Sequence, residues 1–170
     1  MLARPSPVRP QSAPEIRIRI ARDADEPRIR AFLKRQRVAL SHLSLCPTID
    51  LDLTAIEAHY NNRDGFILLA EDETGEIVGS LAAFPSSEDV WEIRKCYADG
   101  AVRGQALIEK LFAIVLRRAR ELGISAILIE THASLTSAIR LYQRLGFSRC
   151  REHRCVIVTD GIWLIRKLKR

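Results

Sequence analysis

The chain has 170 residues, 47% of them apolar and 28% charged, with a net charge of +6. That length and balance suit a globular chain with one buried core, and no apolar run approaches the roughly 20 residues that span a bilayer. The positive charge points to an anionic partner, but nucleic acid, acidic lipid and a phosphorylated cofactor would all answer to it.

Residues 1–14, MLARPSPVRPQSAP, hold four of the seven prolines and show no apolar period, which predicts a disordered tail ahead of a single domain over 15–170. EIRIRI (15–20) alternates charged and apolar residues as a half-buried strand does. DADEPRIRAFLKRQRVA then runs from acidic to basic, the polarity that suits a helix dipole. SHLSLCPTID (41–50) reads as a loop, and LDLTAIEAHYNN as a short helix ending in asparagines. GFILLAED (65–72) and EIVGSLAAF (76–84), joined through ETG, form a hairpin signal, and VWEIRKCYA (90–98) a third strand. A helix follows from about Gly104 to Leu122, with Leu107, Leu111, Ile114, Val115 and Leu122 on one stripe and Gly123 as its stop. SAILIET (125–131) has the apolar run of a strand covered on both faces. SLTSAIRLYQRLGF (134–147) is a further helix, and RCREHRCVIVT with GIWLIRKLKR a closing antiparallel pair around DG. The order β-α-α-β-β-β-α-β-α-β-β implies an α/β (α+β) fold, a mixed sheet with helices packed on it.

Cys46, Cys96, Cys150 and Cys155 include no CxxC pair, and no histidine stands at metal-ligand spacing from them, so free thiols and no metal site are expected. The N-terminus lacks the apolar stretch of a secretory signal, which makes a cytoplasmic setting the default.

Two stretches carry chemistry. In AVRGQALIEKLF (101–112) a strand leads straight into a helix, so unpaired N–H groups at the helix start face the end of the sheet and favour a phosphate, with Arg103 adding a charged donor. An ordinary β-α-β crossover containing Arg-Gly would read the same. In AIRLYQRLGF, Tyr142 lies on a helix just beyond the strand that ends in Glu130 and Thr131. A core tyrosine is the ordinary reading, but a phenol is also matched to protonate a departing thiolate.

Together these stretches resemble the GCN5-related N-acetyltransferase (GNAT) family. Arg103-Gly104-Gln105-Ala106-Leu107-Ile108 looks like its acyl-CoA signature, Arg/Gln-x-x-Gly-x-Gly/Ala. Ala138, Leu141, Tyr142, Gly146 and Phe147 fill its more diagnostic A-x-x-L-Y-x-x-x-G-F string, and the likeness covers roughly 15–167. The resemblance implies a mainly antiparallel sheet of six to seven strands flanked by about four helices, with two splayed parallel strands at its centre. It implies acetyl-CoA as co-substrate, with pantetheine along Cys96-Tyr97-Ala98 and pyrophosphate on the N–H groups of 103–108. Tyr142 matches the family's general acid. Glu92 matches a position that carries a base glutamate in some members, and four residues before Cys96 it is expected on that residue's side of the strand. An ion pair with a neighbouring arginine or lysine is its plainer role, and Glu130 is a rival base.

The chain departs from the pattern at Ala106, at Ile108 and at Leu135, where many members have an asparagine. The turn keeps its N–H groups, but Ile108 must turn into the core for the pyrophosphate to approach. The reading that follows is transfer of an acetyl group to a primary amine of a small molecule or protein, by direct attack in a ternary complex. The alternative is a weakly active or non-catalytic acyl-CoA-binding relative. RRAR (117–120) lies on a helix's outer face without interleaved aromatics, so no nucleic-acid partner is expected, and no membrane. Acidic residues around Asp50, Asp52 and Glu57 could attract a cationic amine or merely solvate a helix start. The edge strands at 148–169 could pair in a homodimer.

Overall fold

The computed structural model describes residues 15–38, 40–41, 50–100, 102, 106–151 and 161–168. Seven strands form one sheet: β1 (Arg17–Ile20), β2 (Phe66–Glu71), β3 (Ile77–Pro85), β4 (Val90–Ala98), β5 (Ala126–His132), β6 (Ser148–Cys150) and β7 (Gly161–Lys167). Their order across the sheet is β1-β2-β3-β4-β5-β7-β6. Neighbours are antiparallel except β4 and β5, which run parallel at the centre. The α-helices among the described residues are α1 (Glu26–Val38), α2 (Ile56–His59), α3 (Leu107–Glu121) and α4 (Thr136–Arg144).

The sheet carries a core on each face. On one, Leu111, Phe112, Val115 and Ala119 of α3 and Tyr142 of α4 pack on Leu68, Leu81, Trp91, Ile93 and Ile127. On the other, Ile29, Phe32 and Leu33 of α1, with Leu53, Ile56 and Tyr60, pack on Ile67, Leu69 and Ala82. Strand β2 is therefore buried throughout, and its unbroken FILLAE run serves both cores.

The element order matches the sequence reading, with differences at boundaries. Helix α3 starts at Leu107 rather than near Gly104, because Ala106 has left-handed backbone (φ 52°) and cannot extend the helical turn N-terminally. Residues 51–63 are not one helix. A 3-10 turn (Leu51–Ala55), the single turn α2 and a second 3-10 turn (Asn61–Arg63) succeed one another while Leu53, Ile56 and Tyr60 are drawn into the core. Of the proposed strand RCREHRCVIVT only residues 149–151 fall among the described ones, the first two of them in β6, antiparallel to β7. The tail 1–14, most of the loop 41–50, Cys46 and Cys155 lie outside them. Cys96 and Cys150 are free thiols.

Two features open the sheet. The β4–β5 ladder holds only Val90–Ala126 to Ile93–Ile129, after which the two strands diverge toward their C-terminal ends. Beside that point β4 is bulged against β3: Ala82 pairs with Arg94 and Ser80 with Tyr97, so Leu81 of β3 faces two residues of β4, Lys95 and Cys96. Lys95 takes the left-handed conformation the bulge requires (φ 51°), and the buried Ser80 hydroxyl donates to its carbonyl at 2.6 Å.

Candidate active site

The divergence of β4 and β5 opens a cleft of about 1010 Å³, lined along its length by both strands, α1, α3 and α4. One extra residue in β4 decides what each of its walls displays. Side chains alternate along a strand, so Trp91 and Ile93 meet the α3–α4 core while Glu92 and Arg94 turn to the α1–α2 side. The bulge adds Lys95 to the α1–α2 side and returns Cys96 and Ala98 to the α3–α4 core, with Tyr97 opposite. Glu92 and Cys96 therefore do not share a side. The expectation that they would assumed unbroken alternation over four residues, which the bulge interrupts.

On the α3–α4 wall, Tyr142 is buried and set edge-on against Phe112 and Phe147, with ring centroids 5.9 and 6.2 Å away. Its hydroxyl hydrogen-bonds the Cys96 thiol. Burial, with the adjoining cysteine, raises the phenol well above its ordinary 10, and burial pushes the thiol up to about 12, the tyrosine bond partly offsetting it. Both groups are thus protonated at neutral pH. Because Tyr142 is the one fully buried side chain of α4, the helix is held by the residue that reaches the cleft.

The N-terminus of α3 closes the same wall. Its first helical bond is Lys110 N–H to the Ala106 carbonyl at 3.0 Å, so the N–H groups of Leu107, Ile108 and Glu109 precede the helical ladder and lie at the positive end of the dipole. Ile108 is half-buried, packed on the core yet still part of the cleft wall, so its branched chain is shared between the two. Arg103, Gly104 and Gln105 lie outside the described residues. Gly79 lets this helix start sit close: a Cβ there would stand 2.7 Å from Leu107 Cδ2.

The α1–α2 wall is charged. Arg94 lies over the Phe84 ring, 3.7 Å from its centroid, and donates from Nε and Nη2 to the two oxygens of Glu92, each at 2.9 Å. Lys95 Nζ donates to both oxygens of Asp52 at 2.7 and 2.8 Å, and the Tyr60 hydroxyl donates to the same carboxylate. Burial, and then Asp52, raises Tyr60 above its usual range, so it remains a donor. Burial lowers Lys95 from its ordinary value, with Asp52 opposing the shift. Asp50 accepts from Nη1 and Nη2 of Arg37, and Arg37 Nε donates to the Tyr97 hydroxyl at 3.4 Å. Asp50 and Asp52 are thus neither a solvated helix start nor a pair of unmatched charges. Sequence reading flagged them and allowed Glu92 a neighbouring arginine or lysine, but missed Arg37 and Lys95, whose carboxylate partners lie 13 and 43 residues away.

Glu130 and His132 line the cleft from the end of β5. The Ser134 amide donates to His132 Nδ1 at 3.1 Å, which leaves the ring proton of the neutral imidazole on Nε2. No group of three or more metal-ligating side chains occurs among the described residues. No helix among them is long and apolar enough to cross a membrane.

The sequence signature of the Acetyltransferase (GNAT) family matches residues 30–147. An uncharacterised N-acetyltransferase of Escherichia coli, YjgM, is 41% identical over 76 residues, covering 43% of this chain and 46% of its own. N-acetylaspartate synthetase of Xenopus tropicalis is 31% identical over 113 residues, covering 66% and 41%. The chain thus spans about half the length of these relatives or less. Among solved structures, a GNAT-family acetyltransferase of Staphylococcus aureus superposes with a TM-score of 0.82 at 20% identity, covering 91% of this chain and all of the other. The acetyltransferase yncA of Salmonella typhimurium, solved with its cofactor acetyl-CoA, does so at 0.66 and 20%, covering 92% and 95%. At those identities the structures show a shared fold.

Proposed function

The chain belongs to the Acetyltransferase (GNAT) family, and from that premise we propose that residues 15–170 act as one domain transferring an acetyl group from acetyl-CoA to a primary amine. The observation that carries the reading is the Tyr142 hydroxyl held beside Cys96 on the α3–α4 wall, where β4 leaves β5. The thioester arm would lie along Cys96, Tyr97 and Ala98, adding to the sheet where the strands part. The pyrophosphate would meet the amides of Leu107 and Ile108, preceded by Arg103, Gly104, Gln105 and Ala106. The residues present fit that ligand: the start of α3 and the Tyr142 phenol border one cleft beside Cys96.

The amine arrives as an ammonium and must lose a proton before its lone pair attacks the thioester carbonyl. Glu92, oriented by Arg94 on the α1–α2 wall, is the carboxylate we assign to that proton, directly or through a water. As the tetrahedral intermediate collapses, its nitrogen gives up a second proton to solvent, the carbon–sulfur bond breaks and the thiolate takes the proton of Tyr142. Solvent then reprotonates the phenolate. Backbone N–H groups at the parted strand would meet the oxyanion.

Calorimetric titration with acetyl-CoA, followed by thiol release with L-aspartate, L-lysine and spermidine, tests the reading. Binding with amine-dependent release supports it. Binding without release would favour the non-catalytic alternative, and no binding would end both. Tyr142→Phe should lower kcat by on the order of a hundredfold, the range for a lost general acid, with acetyl-CoA affinity held within about threefold. Equal turnover would remove Tyr142 from the mechanism.

A further inference from the structure

We infer that Lys95 is a positioning residue for the acceptor amine: from the β4 bulge its side chain pins the segment 50–60 as the acceptor wall of the cleft. The inference rests on the transferase reading above.

A non-glycine residue in the left-handed region persists where its surroundings over-determine it. Lys95 is held at both ends. Its carbonyl accepts from Ser80, which fixes the bulge to β3. Its ammonium, with the side chain only 1% exposed, reaches Asp52 at 2.7 Å and Asp50 at 3.6 Å. Asp52 also receives Tyr60, and Asp50 receives Arg37 of α1. One side chain therefore ties the strand that would hold the thioester to the 3-10 turn at Leu51–Ala55 and, through Asp50, to α1.

A buried ion pair is a poor source of stability, since packed apolar residues of similar volume serve as well or better. Its use here is spatial. The bulge sends Lys95 to the acceptor side and Cys96 to the cofactor side, so the pin acts on one wall and leaves the other alone. Asp52 and Lys95 both border the cleft, beside Glu92 and Arg94. A wall released from β4 would hold an amine less tightly and admit water to the thioester.

The test compares wild type, Lys95→Met and the apolar pair Lys95→Met with Asp52→Leu. Each is melted, titrated with acetyl-CoA, and assayed for thiol release with acetyl-CoA alone and with the best of L-aspartate, L-lysine and spermidine. Lys95→Met should raise the amine KM about tenfold, change kcat less than about threefold, and raise amine-independent release severalfold, the signature of lost acceptor binding. Acetyl-CoA affinity should stay within about twofold, because the altered side chain faces the other wall. The apolar pair should recover the melting temperature without recovering the amine KM or suppressing the release of thiol to water. If Lys95→Met leaves KM and hydrolysis unchanged, or if the apolar pair restores both, the ion pair is packing alone and the inference falls. If wild type releases no thiol under any condition, it is the transferase reading that fails.

Discussion

Ala106 pays a conformational cost that has nothing to do with ligand contact. Its φ of 52° at the start of α3 lies where a side chain costs roughly 1–2 kcal/mol, and the family signature places a glycine at this position. Sequence alone frames the substitution as one methyl group crowding a phosphate, whereas the backbone angle makes it strain in the turn. Ala106→Gly should therefore stabilise the protein. The relief exceeds the roughly 0.4–1 kcal/mol of extra unfolded-state entropy, leaving a net gain of about 0.5–1 kcal/mol by chemical denaturation. An unchanged or lower midpoint would show that the turn is not strained. Cys96 offers a second reading at this scale. Half-buried, with desolvation pushing its thiol up to about 12, it should be alkylated by iodoacetamide at pH 7.5 more slowly than free cysteine in the same buffer, followed by site-resolved mass spectrometry.

At the scale of elements, the approach of α3 to the sheet depends on Gly79. A methyl group there would meet Leu107 Cδ2 at 2.7 Å and Ala70 Cβ at 3.3 Å, and Leu107 is itself buried in the first turn of the helix. Gly79→Ala should destabilise by about 1–3 kcal/mol, as overpacking does, and should also weaken acetyl-CoA binding by moving the Leu107 and Ile108 amides. Thermal melts and calorimetry check the two effects separately, and loss of stability with unchanged affinity would show that the helix start does not meet the cofactor. Strand β4 shows where sequence reading reached and where it stopped. Its limits, Val90–Ala98, were legible from composition and flanking turns, as were the element order and the glycine stop at Gly123, which has positive φ. The bulge was not, because nothing in EIRKCY differs from an unbroken strand. Only pairing with β3 reveals the extra residue, and with it the side of the strand on which Glu92 stands. Tyr142 was legible because its signal is a local string, whereas Arg37, Asp52 and Lys95 became a wall only through contacts distant in sequence.

For the molecule as a whole, the sheet edge at β1 carries its own electrostatic clasp. Arg19 donates to Asp25 at 2.7 Å from two nitrogens and to Glu71 at 2.7 and 3.0 Å, and Arg28 donates to Glu71 at 3.0 Å. The arginine bonds, against the opposing effect of burial, hold both carboxyls below their ordinary values of 3.8 and 4.5. A carboxyl with a depressed folded-state pKa contributes stability that is fully present above its unfolded value and lost as pH falls through the folded one. The melting temperature should therefore hold from neutral pH to about 5 and then fall below about 4.5. Arg19→Met should lower the plateau and flatten that acid limb. A limb of the same steepness in the variant would place the acid-sensitive groups elsewhere.

The bulge at Lys95 also sets a rule of parity for anyone who would graft a new acceptor onto this scaffold. Up to Arg94 the even-numbered positions of β4 look toward the acceptor, and from Cys96 onward the odd-numbered ones do. Deleting Lys95 would remove the bulge and restore plain alternation, leaving Cys96 toward the cofactor and Tyr97 toward the acceptor. The turn at Glu73–Gly75 is exposed and none of its residues lines the cleft, so length can vary there at little cost. Designers can therefore shorten β4 by its bulge residue without turning the strand over, and lose only what Lys95 itself holds.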